Sequence, residues 1–293
     1  MKNIINVAAK LFLGAFVCFA AAPAPGDSAT RFPYIDVRYP SGTLSIQAYL
    51  YKPSGDGPFP AVIYNHGARH GNERRSVPFE HIGKLLVEAG YVVLVPERRG
   101  YGRSDGLTWS EEVGDDRERV VPRLQTETDD ALAALDYLRA LPFADLKRAG
   151  IMGWSFGGIV SMFAISRSAA FAVSVNQAGG ALTWNGNPNV RSALIAAAGK
   201  ASTPTLFQVA QNDRTTLSIS TLADIYNQRG VAHRAVIYEP FAPVRPAPGT
   251  PPGHQVFSAQ GVHVWEKDVL EFLGRYLDKA TGGMGPVESR KPQ

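Results

Sequence analysis

The chain has 293 residues, of which 45% are hydrophobic, so it is long and apolar enough to bury the core of one large α/β domain. Its formal net charge of +4 comes from 30 basic and 26 acidic residues, and no run of Lys or Arg indicates a nucleic-acid surface. The 29 glycines and 21 prolines lie between apolar segments, which is typical of turns in an enzyme with many loops.

The N-terminal segment 1–22 has the features of a secretory signal peptide. Lys2 and Lys10 flank the apolar stretch 11–22, which ends in small residues. A transmembrane helix needs about 20 apolar residues, so this stretch is short for one, and a retained membrane anchor is the alternative reading. We expect an exported protein, periplasmic or extracellular, without stable membrane association. Cys18 is the single cysteine and would leave with the signal, which excludes disulfides and cysteine catalysis in the mature chain.

The rest of the chain divides into three predicted regions. Residues 23–31 are expected to form a flexible mature N-terminus, residues 32–279 a single α/β domain, and residues 280–293 a flexible C-terminal tail.

Strand and helix patterns alternate along the predicted domain. An antiparallel hairpin is expected first, followed by apolar strands that are separated by amphipathic or small-residue helices. The predicted hairpin is 32–38 with 44–51; the strands are 60–65, 91–96, 149–154, 171–175, 205–210 and 234–238; and the helices are 77–89, 126–141, 156–165, one ending at 198, 218–228 and 264–276. This order predicts an open, mainly parallel sheet, in which ligands bind beyond the carboxyl ends of the strands.

One strand end carries the pattern of a nucleophile. Residues 153–157 read Gly-Trp-Ser-Phe-Gly, which fits the G-x-S-x-G elbow between a strand and a helix. The elbow exposes the hydroxyl of Ser155 above the sheet. Side chains at 153 or 157 would collide with the neighbouring strand or helix, and Gly158 lets the helix pack closely. The bare motif is weakly specific, but its strand and helix context is present.

A serine nucleophile needs a histidine base and a carboxylate that orients it. In elbow-bearing hydrolases both follow the serine, the acid before the histidine. We predict Asp213 as the acid, because it closes a buried strand, with Asp224 as the fallback. An Asx turn or helix cap would also explain Asp213.

The base is predicted to be His254. It lies in a proline-rich loop after the last strand, and Gly253 before it permits a close backbone approach. His263 is the alternative, but it borders the last helix and is expected to be a helix neighbour or surface group. His81 and His233 are excluded, since one lies on an early helix and the other at the wrong end of a strand.

Two backbone amides should bind the oxyanion. Phe156 supplies one, and Ala68, with Gly67 next in line, supplies the other from the turn after the first parallel strand. His66 is expected to be structural. A zinc pair of His66 and His70 is the rival reading, but no helix fits there. No metal or cofactor is expected.

Several motifs together carry a family resemblance. These are residues 60–67, 97–105, 153–158, 212–213 and 253–254. With them the chain resembles an α/β-hydrolase of the dienelactone-hydrolase-like branch across nearly its whole mature length. The resemblance implies a twisted sheet of about eight strands with helices on both faces, and a Ser-Asp-His triad that acts on carboxylic esters or lactones. Dienelactone hydrolases use a cysteine where this chain has Ser155, so their substrate is not carried over.

Two alternatives stay open. Prolyl-oligopeptidase-type peptidases have a similar catalytic domain, but they carry a large extra domain. A non-catalytic binding module of the same fold is the second alternative, although such proteins usually lack a triad member. The short segment between the strands ending near 175 and starting at 205 leaves no room for a large lid. We therefore expect an open site for a small-molecule ester or lactone, walled by Trp154, Trp184 and Trp109, with no nucleic-acid partner.

Overall fold

The computed structural model describes residues 32–278, so the predicted signal peptide, Cys18 and the C-terminal tail lie outside the described residues. Eight strands form one sheet. They are β1 (Ile35–Ser41), β2 (Leu44–Tyr51), β3 (Phe59–Asn65), β4 (Val92–Glu97), β5 (Ala144–Trp154), β6 (Val173–Gln177), β7 (Thr205–Ala210) and β8 (His233–Tyr238).

The sheet has the order β1-β2-β4-β3-β5-β6-β7-β8. The β1–β2 and β2–β4 pairs are antiparallel, and all other neighbours are parallel. Strands β3, β4, β6 and β7 are buried along nearly their whole length, as expected for parallel strands that are covered on both faces. The predicted eight-stranded, mainly parallel sheet is confirmed.

Seven α-helices accompany the strands in the described range, the last of them after β8. They are α1 (Glu80–Glu88), α2 (Trp109–Glu112), α3 (Val120–Arg139), α4 (Phe156–Arg167), α5 (Pro188–Ala198), α6 (Leu217–Gln228) and α7 (Val262–Leu277). Helices α1 and α7 contact each other, whereas α3, α4, α5 and α6 contact one another in series. The two groups cover the two faces of the sheet. In the described part of the chain, none of the helices is sufficiently long and apolar to cross a membrane.

The structure moves several predicted boundaries. Helix α1 begins at Glu80 instead of 77, because Pro78 precedes Phe79, whose backbone is left-handed at φ 53° and ψ 50°. Between the predicted strand 91–96 and the predicted helix 126–141 the structure adds helix α2, which begins with a reciprocal capping box between Thr108 and Glu111. Helix α3 begins at Val120 instead of 126. His263, predicted to precede the last helix, lies inside α7.

The carboxyl ends of the parallel strands meet at one edge of the sheet. The turns after β3, β5 and β7 leave the sheet there, and a long loop after β8 returns to the same edge before two short 3-10 helices at Pro252–Phe257 and Ala259–Gly261. Only a turn and α5 lie between β6 and β7, so this segment holds no large lid.

Candidate active site

The predicted elbow has the backbone of a strained turn. Ser155 stands between β5 and α4 with φ 58° and ψ −120°, a conformation that L residues rarely adopt. A Cβ at Gly157 would lie 1.9 Å from the carbonyl oxygen of Asn65 in β3, and one at Gly153 would lie 2.1 Å from the carbonyl oxygen of Gly157. The predicted steric need for both glycines is thus confirmed.

The turn also fixes the residue after the serine. The Ser155 amide donates to the carbonyl of Gln177 at 2.8 Å, which ties the turn to the end of β6. Phe156 is the first residue of α4, so its N–H has no acceptor within the helix. This amide is free in principle to bind an anion beside Ser155.

Asp213 and His254 are brought together from segments 41 residues apart. His254 Nδ1 lies 2.7 Å from Asp213 Oδ2, and both side chains are almost fully buried. The other carboxylate oxygen accepts the Arg214 amide at 2.6 Å. A carboxylate oxygen can only accept, so the neutral ring carries its proton on Nδ1 and leaves Nε2 as the basic nitrogen. Among the described residues, His254 Nε2 has no hydrogen-bond partner.

We call residues 239–258 the histidine loop. Gly253 passes so close to the turn after β7 that a Cβ there would lie 2.4 Å from the Asp213 amide nitrogen. The Gly253 amide itself donates to the Asn212 carbonyl at 3.3 Å. The predicted close approach at Gly253 is confirmed, and it sets His254 beside its carboxylate.

Trp154 links the elbow to the histidine loop. Its indole Nε1 donates to the His254 carbonyl at 3.1 Å. The two rings lie 5.6 Å apart between their centroids. The residue before the serine therefore holds the backbone of the candidate base.

The other candidates lie elsewhere. His263 is exposed on α7, and Asp224 is exposed on α6. His233 begins β8, with Nδ1 2.9 Å from the Val231 carbonyl. His81 lies on α1, where burial lowers its pKa to about 4. Neither His81 nor His233 lines the cavity that contains Ser155.

The turn after β3 has a backbone orientation suited to a second anion donor. His66 is fully buried, and its Nδ1 lies 2.7 Å from the Gly67 carbonyl oxygen. In a trans peptide the C=O and N–H point in opposite directions, so the Ala68 N–H points away from the His66 ring. Ala68 and Ser155 line the same cavity. The predicted structural role of His66 is therefore to orient the peptide group between Gly67 and Ala68.

A buried pair of charged side chains, Arg98 and Glu127, fixes the backbone of His66. Arg98 Nη2 donates to the His66 carbonyl at 2.8 Å, and Arg98 Nε donates to Glu127 Oε2 at 2.7 Å. Burial lowers the pKa of His66 well below its usual range, and the nearby Arg98 and Arg69 lower it further. The ring is thus neutral, and its Nδ1 proton can be donated to Gly67.

A cavity of about 230 Å³ contains the candidate groups. Its walls are Gly67, Ala68, His70, Trp154, Ser155, Phe156, Leu182, Thr183, Thr250 and His254. Of the three predicted tryptophans, only Trp154 is among these walls. Trp109 packs behind Phe156 with ring centroids 4.7 Å apart, and Trp184 is buried in the core.

Four wall residues were not among the predicted site residues: His70, Leu182, Thr183 and Thr250. The sequence offered His70 only as a partner of His66 in the zinc alternative. In the structure its ring centroid lies 6.1 Å from that of Phe156. The other three carried no local signal. In residues 32–278, no three His, Cys, Asp or Glu side chains are grouped so that they could hold a metal ion.

Comparison with known proteins gives a family and several relatives. The dienelactone hydrolase family profile matches residues 46–249. The quorum-quenching protein AidA of Acinetobacter baumannii is 30% identical over 124 residues, which cover 42% of this chain and 36% of that protein. Dipeptidyl-peptidase 5 of Porphyromonas gingivalis is 30% identical over 122 residues, which cover 41% of this chain and 17% of that protein. The chain thus matches well under half the length of these curated relatives.

Solved structures share the fold. An acylaminoacyl peptidase of Pyrococcus horikoshii superposes with a TM-score of 0.66 at 20% identity, covering 87% of this chain and 43% of the peptidase. An esterase of Pyrococcus furiosus superposes with a TM-score of 0.59 at 16% identity, covering 84% of this chain and 92% of the esterase. At these identities the similarity establishes the fold.

Proposed function

Because this chain belongs to the dienelactone hydrolase family, whose profile covers residues 46–249, we propose that it is a serine hydrolase that cleaves carboxylic esters or lactones through an acyl-enzyme on Ser155. The observation that carries this proposal is the 2.7 Å pair of Asp213 and His254, whose histidine lines one cavity with Ser155. A nucleophile, a base and an orienting acid are the parts that acyl transfer requires.

In the proposed reaction His254 Nε2 takes the Ser155 proton while Oγ attacks the substrate carbonyl carbon. The tetrahedral oxyanion accepts hydrogen bonds from the amides of Phe156 and Ala68. When the C–O bond breaks, His254 gives its proton to the leaving alkoxide, which departs as an alcohol from an ester and stays on the acyl group as a hydroxyl from a lactone. Water then attacks the acyl-enzyme by the same steps and releases a carboxylic acid and free Ser155. Asp213 stays ionised and stabilises the imidazolium.

The size and walls of the site support small substrates. The cavity of about 230 Å³ is lined mainly by apolar side chains and backbone, and no large lid covers it. We therefore propose soluble short-chain acyl esters or lactones, with weak activity on long-chain lipids and none on folded proteins. Rates on p-nitrophenyl esters that peak at twelve carbons or more would contradict this.

Peptide cleavage is the second candidate function. Relatives named as dipeptidyl peptidases, and a structural neighbour named as an acylaminoacyl peptidase, support it. A binding module without catalysis is disfavoured, because Ser155, Asp213 and His254 are all present. The N-terminal segment 1–22 supports action outside the cytoplasm, periplasmic or extracellular, after removal of a signal peptide.

Active-site titration tests the proposal directly. The wild-type protein should react once per chain with a fluorophosphonate, and Ser155→Ala should not react. The same two proteins should be assayed on esters, lactones and peptide amides. A Ser155→Ala protein that keeps a tenth of the wild-type esterase activity would refute the assignment, and hydrolysis of amides alone would favour the peptidase.

A further inference from the structure

A second cavity adjoins the candidate active site. It has a volume of about 400 Å³ and shares Gly67, Ala68, Trp154 and Thr250 with the cavity around Ser155. The two cavities therefore meet at the turn whose Ala68 amide we assign to the oxyanion.

One wall of the second cavity is a strained aromatic residue. Phe79 has a left-handed backbone with φ 53°, which costs a non-glycine residue about 1 kcal/mol or more and persists only where the surroundings hold it. The Tyr51 hydroxyl donates to the preceding Pro78 carbonyl at 2.7 Å. The Phe79 ring lies parallel to that of His66, with centroids 5.8 Å apart. Its position is thus fixed from both sides.

Another part of the wall belongs to the histidine loop, which side-chain amides hold in place. Gln260 Oε1 accepts the Arg245 amide at 2.8 Å, and its Nε2 donates to the Arg245 carbonyl at 3.1 Å. Gln255 Oε1 accepts the Ala247 amide at 2.8 Å, and its Nε2 donates to the Thr250 carbonyl at 3.0 Å. These bonds replace a strand ladder that the loop's prolines could not complete.

We infer that the second cavity is a substrate subsite, which takes an uncharged aryl or branched alkyl substituent of the ester. This inference rests on the proposed function. The two substituents of an ester diverge from its carbonyl carbon, and the carbonyl oxygen must lie beside the Ala68 amide. Both cavities begin at the Gly67–Ala68 turn, so one substituent of the ester enters each cavity.

The walls specify the chemistry of the substituent. Val77, Phe79, Trp154 and Ala247 present apolar surface, and the guanidinium of Arg69 is already paired with Glu97. Gln255 and Gln260 also line the cavity, but their amides are bonded to loop backbone. Arg245 lines it as well and is exposed, so its charge stays in water. A cavity with this apolar surface favours a compact apolar group over a long flexible chain, because a compact group loses less conformational freedom on binding.

The test places a large side chain on the wall of this cavity. Ala247 is exposed and lines the cavity, whereas Ala242 is exposed on the same loop and lines neither cavity. Ala247→Trp and Ala242→Trp are therefore a matched pair. Both should be assayed on ethyl acetate, on 1-naphthyl acetate, and on ethyl 1-naphthylacetate, which puts the ring on the acyl side.

The measured quantity is the ratio of kcat/KM for each naphthyl ester to that for ethyl acetate. Relative to wild type and Ala242→Trp, Ala247→Trp should lower this ratio about tenfold or more for one naphthyl ester, and the affected ester identifies the substituent that the cavity holds. Thermal unfolding checks that both variants are folded.

Two failures are distinguishable. If both ratios in Ala247→Trp stay within about twofold of those in Ala242→Trp while the esters are hydrolysed, the subsite is overturned and the proposed function stands. If the wild type hydrolyses none of these esters and a fluorophosphonate does not label Ser155, both are overturned.

Discussion

Ser155 stands on a turn that backbone packing shapes, whereas His254 stands on a loop that side chains hold. At the elbow, strand β3 leaves no space for a Cβ at Gly157. In the histidine loop, the amides of Asn212, Gln255 and Gln260 each make two hydrogen bonds to loop backbone. The two halves of one candidate triad therefore depend on different interactions. Changes at the elbow or at His254 itself should abolish turnover, while changes to the contacts that hold the loop should have graded effects.

The largest effect should come from the loop's own catalytic candidate. His254→Ala removes the proposed base, so kcat should fall by about four to six orders of magnitude. His263→Ala is the matched control, because that histidine is exposed on α7, and it should keep most activity. Ester hydrolysis by both purified variants decides between them, and the reverse pattern would assign the base to His263.

The next largest loss of activity should come from His66, in the turn after β3. His66→Phe keeps a ring beside Phe79 but removes the hydrogen bond to the Gly67 carbonyl at 2.7 Å. Misorientation of one oxyanion donor should lower kcat by up to about 10²-fold to 10³-fold with little change in KM.

His81→Phe is the control for this variant, because His81 is a half-buried histidine that lies on α1, outside the site. Steady-state kinetics and thermal unfolding should be measured on both. Equal kcat values in His66→Phe and His81→Phe would remove His66 from the oxyanion argument.

Gly253→Ala tests whether close contact also operates in the histidine loop. The new methyl would lie 2.4 Å from the Asp213 amide nitrogen and must displace the loop. A shift of about 1 Å at His254 should cost roughly 10²-fold in kcat. Gly186→Ala is the matched change, since nothing lies within 4 Å of that position. If the two variants turn over esters equally fast, the loop tolerates the contact.

The smallest loss of activity should come from replacing the side-chain amide of Asn212. Asn212→Leu removes both hydrogen bonds to Phe241, at 2.8 and 2.9 Å, and should lower the free energy of unfolding by about 1 kcal/mol. Turnover should fall only a few-fold, because Gly253 still contacts the turn. Asn227→Leu changes an exposed asparagine on α6 and is the control in urea unfolding. Identical unfolding midpoints for the two variants would show that the hydrogen bonds between Asn212 and Phe241 contribute nothing to stability.

The same contrast explains what could be predicted from the sequence. The elbow was predictable because its steric requirements fall on neighbouring residues, Gly153 and Gly157. Strand β7 was predicted with its observed bounds, Thr205–Ala210, since a strand buried on both faces is mainly apolar. The assignment of Asp213 and His254 as acid and base stays a prediction, although the structure brings the two together.

The remaining features depend on distant parts of the chain. Trp109 and Trp184 looked like pocket walls, but the large apolar surface of each is used in the core. The hydrogen bonds of Gln260 to Arg245 span 15 residues and follow no sequence period, so no local pattern marks them. The left-handed backbone of Phe79 was not predictable either, since glycine or asparagine is the usual residue in that conformation.

Trp154 gives the site an optical reporter. The other three tryptophans, Trp109, Trp184 and Trp265, are buried in the core, whereas Trp154 is half-buried with its indole bonded to the backbone of His254. A protonated imidazole accepts an electron from an excited indole, so emission from Trp154 should dim when the neighbouring His254 gains a proton. Fluorescence of a chain that keeps Trp154 alone would then follow, in real time, the charge on the candidate base as an ester is turned over.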